Sequence, residues 1–213
     1  MRSIRPAVVA VSATLSLALL GACSGGSSGG STAATEAQVV SYHAAYPSYS
    51  SPADLLDTAN LVVRGVPQSS HTKQVFMDVS DDSDPNTNPQ AGLSSDKVEE
   101  ARQDSAIVVT VSTVRVDEVI KGDAKVGDTI EVSQLGGSLD GTKYNDPETT
   151  LLSKDSPYVL FLAEHKNAPY DLLNPEQGMY TASSDGQLAP VSKDNSLEIG
   201  SVRTLKNAAK AAK

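Results

Sequence analysis

Val114-Arg115-Val116-Asp117-Glu118-Val119-Ile120-Lys121-Gly122, followed by Gly127-Asp128-Thr129-Ile130-Glu131-Val132-Ser133, decides how this 213-residue chain folds. Val114 and Val116 alternate with Arg115 and Asp117, and Ile130 and Val132 alternate with Glu131 and Ser133. A period of two belongs to strands with one buried face. Between them, Lys121-Gly122-Asp123 and Val126-Gly127-Asp128 carry turn chemistry. Upstream, Ile107, Val109 and Val111 alternate with Val108, Thr110 and Ser112, so the first strand reaches back to Ala106. A strand that long, in a small barrel, bends at a bulge. The predicted unit is therefore a hairpin ending near Leu135.

Working outward, Pro157-Tyr158-Val159-Leu160-Phe161-Leu162-Ala163 is apolar on both faces, which predicts the most central strand. Short strands are expected at Tyr170–Leu173, Gly178–Thr181 and Gln187–Val191, separated by Asn174-Pro175 and Ser184-Asp185-Gly186. Leu61–Val66 reads as the first strand of the domain, with Val75-Phe76-Met77 as its continuation or hairpin partner. Ser51-Pro52-Ala53-Asp54 has the grammar of a helix start, predicting a short helix to about Ala59. Asp96–Gln103 is compatible with one or two helical turns or with loop. Val202, Leu205 and Ala209 stand at helical spacing in an Ala- and Lys-rich C-terminal segment, predicting a terminal helix over 202–213. Strands joined by turns favour a mainly β fold, with an antiparallel sheet of about five to seven strands that closes or nearly closes. Gly136-Gly137 lacks the Lys-Ser/Thr and following helix of a phosphate loop, and reads as a bulge or tight turn.

The N-terminus carries a different message. Arg2 and Arg5 precede an apolar run, Ala7–Leu20, too short to span a bilayer and built like a secretory signal. It ends in Leu20-Gly21-Ala22-Cys23, which resembles the lipobox of bacterial lipoproteins. That resemblance implies cleavage between Ala22 and Cys23 and a diacylglyceryl group on the Cys23 sulfur, placing the protein on the extracytoplasmic face of the cell membrane. Cys23 is the only cysteine, so no internal disulfide can form. Ser24–Ser31 is a Gly/Ser tether, and residues 23–50 as a flexible coil would set the domain on the order of 30 Å from the membrane. The expected organisation is signal 1–22, lipidated cysteine and tether 23–50, and a β-rich domain 51–213. Tyr42, Tyr46 and Tyr49, with His43 and Pro47, lie on that arm and read as packing on the domain or as a recognition patch.

The succession Leu61–Val66, Val114–Gly122, Gly127–Val132 and Tyr158–Leu162 resembles secreted bacterial OB-like barrels. It is similar in layout to the netrin-like, metalloproteinase-inhibitor barrels. Those inhibitors present a free amino-terminal cysteine to the protease zinc and carry disulfides. Here the one cysteine matches a lipobox, so the inhibitory chemistry does not carry over.

Lys and Arg number 17 against 26 Asp and Glu, a net charge of −9, and the chain has no Trp and two Phe. Such a surface repels phosphate backbones and offers few stacking platforms, which argues against nucleic acid as a partner. The three histidines, His43, His71 and His165, form no zinc-ligand spacing, and no Gly-x-Ser-x-Gly elbow occurs. Asp117 and Glu118 are adjacent on a strand and point to opposite faces, so they do not form an acid–base pair. No catalytic residues are assigned. The expected activity is binding, to a protein, an envelope component or a small molecule. By OB analogy the ligand face would use the loops 78–95 and 136–150 with Arg64, Arg115 and Tyr144. Asp81, Asp82 and Asp84, in a loop of alternating oxygen side chains, offer a calcium-dependent alternative. The EF-hand pattern fails there, since Thr87 and Leu93 occupy the positions of its Gly and Glu. An envelope hydrolase with a spatially assembled site is the remaining alternative.

Overall fold

The computed structural model describes residues 38–76, 84, 86, 88 and 90–211. Among the described residues the chain is mainly β, with ten strands in two sheets and three helices. Strand β1 is Val39–Ser41, helix α1 is Pro52–Thr58, and β2 is Leu61–Val75. Helix α2, Ser95–Asp104, precedes the long β3, Ile107–Lys121, and β4, Thr129–Leu135. Strands β5 (Gly137–Leu139), β6 (Thr142–Asn145), β7 (Tyr158–Ala163), β8 (Tyr170–Leu172), β9 (Met179–Ala182) and β10 (Leu188–Pro190) follow, and α3, Val202–Ala211, ends the fold.

Five strands of the larger sheet close on themselves. β2 pairs antiparallel with β3 and with β7, and β3 pairs antiparallel with β4. β8 then bridges β4 in parallel and β7 in antiparallel fashion. The ring β2-β3-β4-β8-β7 is an OB-like barrel, sealed by a short strand. β9 and β10 continue the sheet beyond β7. The expected bulges are present in the β2–β3 ladder, at Val62/Val63, Arg64/Gly65 and Pro67/Ser69. Each bulge lets the strand bend round the barrel.

Burial follows the alternation. Val114, Val116, Ile130, Val132, Leu160 and Leu162 fill the barrel. Val62, Val159 and Phe161 face outward into a second core with Leu55 and Leu56 of α1 and Val202, Leu205 and Ala209 of α3. β7 supplies both cores from opposite faces, which is why its sequence is continuously apolar. Each such fully buried side chain contributes about 1.5–3 kcal/mol. The caps agree with the sequence: the Ser51 hydroxyl accepts from the Asp54 N–H at 3.1 Å, and Lys121 Nζ donates to the Leu56 and Asp57 carbonyls at 2.8 and 2.9 Å. That lysine closes the C-terminal, negative end of α1.

Two elements differ from the sequence expectation. β2 runs on from Val66 through Pro67-Gln68-Ser69-Ser70-His71-Thr72-Lys73-Gln74 to Val75, so Val75 is the strand's continuation rather than its hairpin partner, with no turn between (Met77 lies outside the described residues). His71 thus lies on a strand opposite Val111, not in a turn. This polar half is held by main-chain pairing to β3, so it needs no apolar alternation of its own. The loop expected after Gly136 contains a second hairpin, β5–β6, which pairs in parallel with β1 to make the small sheet. Among the described residues no helix is long and apolar enough to cross a membrane.

Candidate functional site

Residues 38–50, assigned to the tether by sequence, run along the barrel as an extended strap. Their burial alternates: Tyr42, Ala44 and Tyr46 face the barrel while His43, Ala45 and Pro47 face outward. β1 joins the strap to β6, and the Tyr42 N–H donates to the Asn145 carbonyl at 2.7 Å. The Tyr42 ring stacks on Tyr144 with centroids 5.9 Å apart, and its hydroxyl accepts from the Val108 N–H at 2.9 Å. Further along, the Tyr46 hydroxyl donates to the buried Asp146 carboxylate at 3.0 Å, and the Thr149 hydroxyl donates to the same oxygen at 2.7 Å. Burial, with the neighbouring Asp146 adding to it, pushes the Tyr46 hydroxyl up to about 12. Asn174 Nδ2 donates to the Pro47 carbonyl at 3.0 Å. The Gln177 side chain both accepts from the Tyr49 N–H at 2.8 Å and donates to its carbonyl at 3.0 Å.

Beneath the strap lies a cleft of about 550 Å³. Its floor is the outer face of the barrel wall. The register places Val109 opposite Leu135, and Asp171 opposite both Ser133 and Ala163, so all five side chains share that face. Ile107 and Val75 extend the apolar floor, and Tyr46 and Tyr49 form the roof. This is the composition of a small-molecule site: a mostly apolar concavity with a few polar groups at its edge.

Those polar groups are His165 and Asp171. His165 Nε2 lies 2.9 Å from Asp171 Oδ2, both side chains about half exposed. Loss of solvent pushes the Asp171 carboxyl up, and His165 and a hydrogen bond from the Ser133 hydroxyl partly offset this. Serine and histidine both lean on the carboxylate. In a nucleophilic triad the serine bonds the imidazole, whereas here the serine hydroxyl bonds the carboxylate. The arrangement can orient a polar head group.

The residues nominated from sequence are scattered. Arg64 lines a different cleft, beside α3. Arg115 is half exposed and paired with Asp117 at 2.6 Å. Tyr144 packs on the strap and borders a smaller cleft with Lys143 and Asp146. Arg64 and Tyr144 thus line different clefts. Asp84 accepts from the Asn86 N–H and Nδ2, both at 2.9 Å, in an Asx-type turn. Asp81, Asp82 and the Leu20-Gly21-Ala22-Cys23 motif lie outside the described residues. Among the described residues no three His, Cys, Asp or Glu side chains converge as metal ligands. The sequence reads Tyr42, Tyr46 and Tyr49 as packing on the domain, and they do; it did not point to the cleft beneath them, although Val40, Tyr42, Ala44 and Tyr46 alternate as a strand does. It also missed the floor residues Val109 and Leu135, whose alternation places them on the face away from the barrel core.

Comparison of the chain with known protein families and with curated proteins finds no match.

Proposed function

We propose that this protein is a lipid-anchored, non-enzymatic binding module on the extracytoplasmic face of the cell membrane, and that its ligand is a small amphipathic molecule held under the strap. The observation that carries the binding role is the apolar cleft between the strap and the outer barrel wall, with His165 and Asp171 at its rim. The apolar body of the ligand rests on Val109, Leu135 and Ile107, and its polar end meets the His165–Asp171 pair. The sequence Leu20-Gly21-Ala22-Cys23 supports anchoring, and a Gly/Ser run, Ser24–Ser31, of tether composition follows it.

Two experiments test the reading. The apolar fluorophore N-phenyl-1-naphthylamine should brighten on binding the purified protein. Leu135→Glu, which puts a charge on the cleft floor, should abolish the signal while the melting temperature stays within a few degrees. Unchanged fluorescence in a folded Leu135→Glu protein would rule the cleft out. Metabolic labelling with a fatty-acid analogue should mark the native chain and not Cys23→Ala, and equal labelling would remove the anchor. For the calcium alternative, a melting temperature raised by millimolar calcium would favour a site at Asp81, Asp82 and Asp84.

A further inference from the structure

A second cleft, at the N-terminal half of β2 and lined by no residue of the strap, has the opposite chemistry. Its volume is about 520 Å³, and its walls are polar. The strand register sets Arg64 of β2 directly opposite Glu118 of β3. Val62, two residues before Arg64, is in the core that α1 and α3 cover, and α3 lies along β3. Arg203, Lys206 and Lys210 are all on α3, spaced three and four residues apart, so one helix face carries three cations to the same cleft. Lys206 is paired with Glu118. Asp185, whose carboxyl is held below the usual range by the Ser183 hydroxyl, is the other acid on the wall. Four cations against two carboxylates leave the cleft with an excess of two positive charges. This occurs in a chain whose net charge is −9.

Arg64 is the unusual member. Its Nε is buried, and among the described residues no group accepts its hydrogen. Buried polar groups are nearly always paired, and a guanidinium is a rigid fork of donors suited to tetrahedral oxyanions. A structural arginine at this position would be expected to spend its donors on Glu118, but Glu118 bonds Lys206 instead. Around the cations, Ser184, Gln187, Ser201 and Asn207 offer neutral hydrogen-bonding groups. The cleft is larger than a bare oxyanion needs, and its polar walls suit hydroxyl groups rather than hydrocarbon.

We propose that this cleft binds a phosphorylated, hydroxyl-rich small molecule, with the phosphoryl group among Arg64, Arg203 and Lys210 and the polyol body along the serine, asparagine and glutamine wall. The doubly charged phosphomonoester matches the excess of two cations. Charge-assisted hydrogen bonds to guanidinium are the strong kind. A phosphodiester, as in a glycerophospholipid head group, shares this chemistry with one charge less.

The test is calorimetric titration of the full-length protein in uncharged detergent at low salt. The probes are sn-glycerol 3-phosphate, the diester glycerophosphoglycerol, and glycerol as the uncharged control. Glycerol should give no heat, and the monoester should bind with an affinity that falls as salt screens the cations. Arg203→Gln/Lys210→Gln alters two exposed positions on α3 and should weaken binding at least tenfold with the melting temperature preserved. Arg64→Gln should do the same, and if that variant fails to fold the surface pair still decides the matter. A monoester at least tenfold tighter than the diester indicates a free phosphate ester as the natural ligand. A diester bound as well as the monoester indicates a head group or polymer. Neither probe binding at millimolar concentration, or the double variant binding as the native protein does, overturns the proposal. N-phenyl-1-naphthylamine binding under the strap should be unaffected by these variants, so the two clefts fail or stand separately.

Discussion

Tyr46→Phe deletes one oxygen and tests whether the strap is a separately stable element. The hydroxyl donates to Asp146 at 3.0 Å, and Asp146 keeps its second donor, Thr149, in the variant. A hydrogen bond to a charged group contributes about 1.5–3 kcal/mol. Tyr46 is only partly buried, so water can replace part of the loss and the lower figure of about 1.5 kcal/mol applies. About 1.4 kcal/mol is a factor of ten in an equilibrium constant, so the strap should open roughly tenfold more often. The barrel should not notice, because its two cores do not include Tyr46. Amide hydrogen exchange followed by mass spectrometry separates these outcomes. The Tyr42 and Tyr49 amides, bonded to the Asn145 carbonyl and Gln177 Oε1, should exchange about tenfold faster. The amides of 158–163 should exchange at the native rate. Unchanged exchange in the strap would mean that Tyr46 does not hold it. An equal acceleration in β7 would mean that the strap is part of the global unit rather than a local lid.

Three further outcomes follow from the same structure. Phe161→Ala empties a side chain with no exposed surface in the core under α1 and α3 and should cost about 3–5 kcal/mol. For a domain of this size that is a fall in melting temperature of roughly 6–20 °C, whereas Val126→Ala at the exposed hairpin tip should stay within about 0.5 kcal/mol. Gly137→Ala would put a Cβ 2.3 Å from Thr110 Oγ1 on a residue with φ of +136°, and backbone strain with overpacking should cost roughly 2–5 kcal/mol by urea denaturation. Gly141→Ala, with open space around its Cβ, should cost only the strain. Asp171 has its carboxyl raised by burial, so the folded state holds that proton to higher pH than the unfolded state does. Its contribution to stability is therefore least unfavourable below the ordinary value of 3.8 and worsens as pH rises through the folded value. Asp171→Asn should gain on the native protein across that window, and a variant that loses ground there would refute the assignment.

The barrel was legible because burial and pattern coincide in it. β7 is apolar at every position since it divides two cores, and the β3–β4 hairpin alternates where one face is buried and the other is polar. The second half of β2 was illegible for the converse reason. Gln68, Ser69, Ser70 and His71 are exposed, Gln68 stands at the bulge, and the other three are held by main-chain pairing to β3. The β5–β6 hairpin did carry a local signal. Asp140 and Gly141 have φ of +49° and +79°, the two positive values of a type I′ turn, and Asp-Gly is a preferred pair for it. Without alternating apolar flanks the pair did not stand out.

The candidate site was harder to read because its parts are distant in sequence. Tyr46 meets Asp146 across 100 positions, and Tyr49 meets Gln177 across 128. A tyrosine in a polar arm has no way to announce a carboxylate that the barrel brings to it. What the sequence does carry is the alternation of Val40, Tyr42, Ala44 and Tyr46, which marks an extended segment with one side covered. Eight residues separate that pattern from the Gly/Ser run Ser24–Ser31. The strap carries Ala44, Tyr46 and Tyr49 to the roof of the apolar cleft, so the side chains that bury the strap also enclose the cleft.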